Sequence, residues 1–76
     1  MFIVTRLFRF KGYVDSRGYL EVYRHPCGVE MARWPEGDTA RQREASRFSS
    51  VRDALAAVAK HVPEKNQHRC EVIRIA

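Results

Sequence analysis

Between Phe8 and Trp34 apolar and polar residues largely alternate, and two turn signals of one design interrupt them, Ser16-Arg17-Gly18 and Pro26-Cys27-Gly28. Each ends in Gly, where a three-residue hairpin loop needs a left-handed backbone, and Pro26 brings the fixed φ of a type I turn. Two such loops predict a three-stranded meander of fixed register. The first turn pairs Val14 with Leu20, Tyr13 with Glu21, Gly12 with Val22, Lys11 with Tyr23 and Arg9 with His25. The second pairs Arg24 with Glu30, Tyr23 with Met31, Val22 with Ala32, Glu21 with Arg33 and Leu20 with Trp34. Glu21 and Glu30 then each oppose an arginine, a pair worth roughly 0.2–1 kcal/mol. Phe8, Phe10, Val14, Leu20, Val22, Ala32 and Trp34 share an apolar face that a one-residue slip would scatter. The other face gathers Arg9, Lys11, Tyr13, Tyr19, Tyr23, His25, Met31 and Arg33.

The first strand reads as residues 2–14. Its alternation is imperfect before Phe8, which predicts either a bulge near Thr5 or cover on both faces of this end. Strands two and three read as 19–25 and 29–34. Pro35-Glu36-Gly37-Asp38 ends the sheet, and a flexible polar loop of about 36–47 follows, carrying Arg41, Arg43 and Arg47. Ser50 with Asp53 resembles a capping box. Val51, Ala54, Leu55, Val58 and Val62 follow at helical spacing, Lys60 and His61 suit the last turn, and Pro63 stops the helix. Residues 69–75 read as a fourth strand. The helix returns the chain, so this strand is expected parallel to strands three and one, and a right-handed crossover sets it beside strand one. The expected fold is a single α+β domain over 1–76: a mixed four-stranded sheet, order 4-1-2-3 (βββαβ), with one helix packed on one face.

Seventy-six residues sit near the lower limit for a self-supporting core, so a homodimer covering part of the outer sheet face is one expected use of that face. The formal charge is +5, and eleven of the fourteen basic residues are Arg. Arginine grips phosphate and carboxylate through a planar fork, so the expected partner is anionic: nucleic acid, an acidic protein patch or a nucleoprotein. Met1-Phe2-Ile3-Val4 is too short for a signal peptide and is followed by Arg6 and Arg9, and no apolar run reaches transmembrane length. The expected compartment is the cytoplasm of a host cell, with no membrane partner and both cysteines as thiols.

Three constellations carry candidate chemistry. On the outer sheet face Tyr13, Tyr19 and Tyr23 would stack unpaired bases, while Arg9, Lys11, Arg33, Arg41, Arg43 and Arg47 hold phosphates. The sequence has no RNP-type motif for specific reading. His25-Pro26-Cys27 and His68-Arg69-Cys70 together offer two imidazoles and two thiols, but their spacing is unlike that of zinc sites, and no metal or cofactor is expected. Tyr23-Arg24-His25-Pro26-Cys27-Gly28 resembles the histidine strand-turn of HicA-type toxin ribonucleases. That resemblance implies His25 as general base on an RNA 2′-hydroxyl; the family's Gly-Ser before the histidine and its leading helix are missing here. The sequence holds no Gly-rich phosphate loop and no nucleophile with a base, so an enzyme is not expected.

Hairpins, then Phe48-Ser49-Ser50-x-x-Asp53-Ala54-Leu55-x-Ala57, then a last strand, are similar in layout to β-sheet anti-CRISPR proteins and HicB-like modules carried by phages and mobile elements. The likeness is one of size, element order and basic charge. It implies a stoichiometric inhibitor that docks on a CRISPR-Cas effector subunit and blocks it by occlusion. The alternatives are a direct DNA- or RNA-binding regulator and, third, the ribonuclease toxin.

Overall fold

A computed structural model of the chain describes residues 1–8, 16–35 and 42–75. Among the described residues five strands and two helices follow in the order β1 (Phe2–Phe8), β2 (Ser16–Tyr19), β3 (Glu21–Arg24), β4 (Glu30–Arg33), α1 (Val51–His61), α2 (Glu64–Gln67) and β5 (Cys70–Arg74). The fold is α+β, with one main helix and two antiparallel sheets, of order β2-β1-β5 and β3-β4. This replaces the expected single four-stranded sheet.

The second hairpin has the expected register, with Glu21 opposite Arg33, Val22 opposite Ala32, Tyr23 opposite Met31 and Arg24 opposite Glu30. Its loop closes through Gly28 N–H to His25 O at 2.7 Å and His25 N–H to Val29 O at 2.8 Å. Gly28 has the left-handed φ, +95°, that the loop geometry requires.

The first hairpin differs. Thr5 pairs with Tyr19 and Phe8 with Ser16, so Ser16-Arg17-Gly18 is strand rather than turn. The expected partners of strand two, Arg9 to Val14, lie outside the described residues. Gly18 serves space here rather than a left-handed φ: a Cβ built on it would collide with Phe8 Cε2. The Phe8 ring meets Trp34 edge-on at 5.8 Å between centroids and lies under the Arg6 guanidinium at 4.5 Å. A glycine on β2 thus makes room for a ring that joins the two sheets.

Leu20 separates β2 from β3. Its N–H donates to Val4 O at 2.9 Å, and its carbonyl accepts from Ser46 N–H at 2.9 Å. Val22 N–H then donates to Ser46 Oγ at 2.7 Å, and that hydroxyl returns to Val22 O at 3.3 Å. One serine side chain substitutes for a neighbouring strand along this edge of β3.

β5 lies beside β1 as expected, but antiparallel to it, with Phe2 opposite Arg74 and Arg6 opposite Cys70. The physical reason is where α1 begins. Phe48 bridges to Phe2 through hydrogen bonds of 2.8 Å in both directions, so the helix starts at the Phe2 end and β5 has to return from the Arg6 end. Ser50 caps α1, its Oγ accepting from Asp53 N–H at 3.1 Å. The Asp53 carboxylate accepts from Ser49 Oγ at 2.9 Å.

Both faces of β1 are covered. On the helix side Val4, Leu20, Ala54, Val58 and Val62 are buried, with Val22, Ala32, Trp34 and Val72 packed around them. On the other side Ile3 and Tyr19 meet Ala45, with Ile73 and Ile75 alongside. Full burial of Ile3, Val4 and Leu20 contributes about 1.5–3 kcal/mol each. The buried stripe of α1 is not quite the expected one: Val51 and Leu55 remain 43% and 54% exposed. The helix is turned so that Ala57 enters the core and His61 and Lys60 reach Glu30 on β4.

Candidate functional site

β3 and β4 form a two-stranded ribbon whose even positions face the helix. Its odd positions, among them Tyr23, His25, Met31 and Arg33, form the outer face that the register predicts. Arg33 lies 5.2 Å from the Tyr23 ring centroid, and Tyr23 Oη approaches Met31 Sδ at 4.0 Å. Arg33 also makes a two-pronged bond to Glu21, at 3.1 and 3.0 Å. That hydrogen bond, then the charge behind it, raises the Arg33 pKa above its ordinary value. An exposed pair of this kind adds little to stability, because solvent screens it. Its larger effect is chemical, because Arg33 already holds a carboxylate where a phosphate was expected.

The second expected ion pair is redistributed. Arg24 donates to Gly28 O at 2.9 Å instead of meeting Glu30. Glu30 instead binds Lys60 and stands 3.6 Å from His61 Nε2. The Lys60 hydrogen bond is the main cause that lowers the Glu30 pKa below its ordinary value, against a smaller opposing effect of burial.

Tyr19, expected as a stacking platform, is only 7% exposed and belongs to the Ile3–Ala45 cluster. The interruption at Leu20 puts Tyr19 in the three-stranded sheet, away from Tyr23. Arg9, Lys11, Tyr13 and Arg41 lie outside the described residues. Arg43 and Arg47 are exposed and lie on either side of Ala45 and Ser46, which together with Phe48 anchor this segment to the sheets.

Two arginines absent from the sequence-based set join Arg47. The Phe2–Phe48 bridge sets Arg47 at one end of the sheet. Arg52 is in the first turn of α1, which begins there, and Arg74 is opposite Phe2 on β5. All three are exposed, and none has a carboxylate partner among the described residues. Among the described residues the acid on this turn of α1 is Asp53, whose carboxylate accepts from Ser49 Oγ. Guanidinium groups that hold no carboxylate are the ones able to take a phosphate or an acidic side chain. Their only sequence signal is residue type; the grouping depends on pairings between distant segments.

The two His-x-Cys segments do not come together. His25 Nδ1 is 3.0 Å from Cys27 Sγ and accepts Cys27 N–H at 3.2 Å, all on the exposed hairpin tip. Cys70 is half-buried on β5, with Sγ 3.9 Å from Asn66 O. Burial pushes its thiol pKa up, and the charge of Arg6 opposes that shift. Among the described residues no three His, Cys, Asp or Glu side chains converge on a metal position. An open depression lined by Leu7, His68, Arg69 and Glu71 lies beside the start of β5 and presents both signs of charge. No helix among the described residues is long and apolar enough to cross a membrane. Compared with protein-family models, curated proteins and solved structures, the chain matches none.

Proposed function

We propose that this chain is a small basic binding protein without catalytic chemistry, acting by covering an anionic surface of its partner. Its sharpest form is an inhibitor docking on a CRISPR-Cas surveillance complex, a reading that rests on the layout resemblance to anti-CRISPR proteins. The observation that supports binding to an anion is the group Arg47, Arg52 and Arg74, exposed and without carboxylate partners among the described residues. Three guanidinium groups at one end of a small domain suit a surface of phosphates or acidic side chains.

The test is the triple variant Arg47→Glu, Arg52→Glu, Arg74→Glu, with fluorescence anisotropy against labelled DNA, labelled RNA and a purified CRISPR effector complex. Binding at least tenfold weaker than that of the unaltered chain is expected, and unchanged binding to all three refutes the anionic surface. An inhibitor binds the complex far better than the bare nucleic acid. A direct nucleic-acid binder, favoured by the Tyr23–Arg33 stack, binds bare strands with a steep dependence on salt.

A further inference from the structure

The strand edges of this protein are not treated alike. β1 has a neighbour on each side, and Ser46 seals Val22 of β3. β5 has β1 on one side. In that ladder the odd positions exchange hydrogen bonds, as Ile75 N–H to Met1 O at 3.0 Å indicates under the register that sets Phe2 opposite Arg74. The N–H and C=O groups of Cys70, Val72 and Arg74 therefore point outward, to an edge with no further strand among the described residues.

α1 packs on β1 and β5. Its Lys60 and His61 turn toward Glu30 of β4. At about 100° per residue, Val51, Leu55 and Ala59 then lie on the flank that overhangs the β5 edge. All three are exposed, Leu55 by 54%. Val72 is half-buried at the middle of the strand. An open main-chain edge thus lies next to a helix flank whose middle, at Leu55, is uncharged, with Arg52 on its solvent side.

We propose that this edge pairs with the same edge of a second copy. The two β5 strands run antiparallel about a two-fold axis at Val72, and the two α1 helices meet through Leu55 and Val51 on one face of the joined sheet. A strand meeting itself about a two-fold is antiparallel by necessity, and Val72 opposite Val72 brings together the residues whose hydrogen-bonding groups point outward in both copies. The size also fits. A five-residue strand edge plus one helix flank buries on the order of 500 Å² per copy, near the lower bound of a specific interface and in keeping with a weak dimer. The centre of the patch is uncharged and Arg52 and Arg74 lie at its rim, which suits an identical apolar patch and does not suit phosphates. β4, the outer strand of the ribbon, has the Lys60–Glu30 ion pair beside it, and charge on an edge discourages pairing.

Sedimentation equilibrium between about 1 μM and 1 mM tests this, with a reversible monomer–dimer equilibrium expected in that range. Leu55→Glu changes an exposed side chain, so its far-ultraviolet circular dichroism should match the unaltered chain while its dissociation constant rises at least tenfold. In a background of Cys27→Ser and Cys70→Ala, Val72→Cys should cross-link to a covalent dimer under mild oxidation. Both results are required. A chain that stays monomeric throughout the range, a dimer that Leu55→Glu leaves intact, or a Val72→Cys chain that does not cross-link overturns the proposal.

Discussion

The two hairpins carry nearly the same turn signal and use it in opposite ways. In Pro26-Cys27-Gly28 the glycine turns the chain, with φ at +95° and nothing near the place where a Cβ would stand. In Ser16-Arg17-Gly18 the glycine lies flat in a strand, and a Cβ there would strike the Phe8 ring. One glycine is present for its backbone and the other for its missing side chain. A local sequence pattern cannot tell these apart, because the second reason is an aromatic ring brought from another strand.

The comparison is most sharply broken at Gly18. Gly18→Ala should destabilise the protein by about 1–3 kcal/mol, because the ring it displaces is held by Trp34 and Arg6. In a domain of this size that lowers the melting temperature by several degrees. In a Phe8→Leu background most of the loss should vanish, which thermal unfolding of the four chains of the cycle measures. Full loss in both backgrounds would mean that backbone conformation, not space, selects this glycine.

Gly28→Ala should cost less, about 1–2 kcal/mol, as the strain of a left-handed alanine. No space-making substitution should relieve it, and Gly28→Asn should recover part of the stability. Equal stability of Gly28→Ala and the unaltered chain in thermal melts would remove the contrast between the two hairpins.

The smallest expected effect tests how the ribbon is tied to the helix. The Glu30 pKa is lowered in the folded state, chiefly by Lys60. A lowered carboxylate pKa adds stability that is complete above its unfolded value of about 4.5 and is lost as pH falls through the folded value. Urea melts should therefore show an acid-side loss that Lys60→Met diminishes. An identical acid profile in both chains would show that this contact contributes nothing.

What the sequence makes legible is what depends on neighbours in the chain. Pro26, Gly28 and the facing pairs of β3 and β4 give the second hairpin its register, and Ser50 to Pro63 bound α1. The direction of β5 was not legible, because the Phe2–Phe48 bridge decides where the helix begins. The parity of Tyr19 was lost for a similar reason: the break at Leu20 is made by Val4 and Ser46, both distant in sequence. Of the expected binding face, Tyr23, His25, Met31 and Arg33 do share one side of the ribbon. The grouping of Arg47, Arg52 and Arg74 needed the ladder to be known first.

The pairing of Phe2 with Arg74 has a consequence for the order of assembly. The β3–β4 hairpin closes a loop of a few residues, at little entropic cost, and is available early. β1 waits almost the length of the chain for β5. During synthesis its odd-numbered main-chain groups remain open until the last strand has emerged, and a nascent chain in that interval presents an unpaired strand to its surroundings. β1, made well before β5, is therefore among the last elements of this fold to be completed.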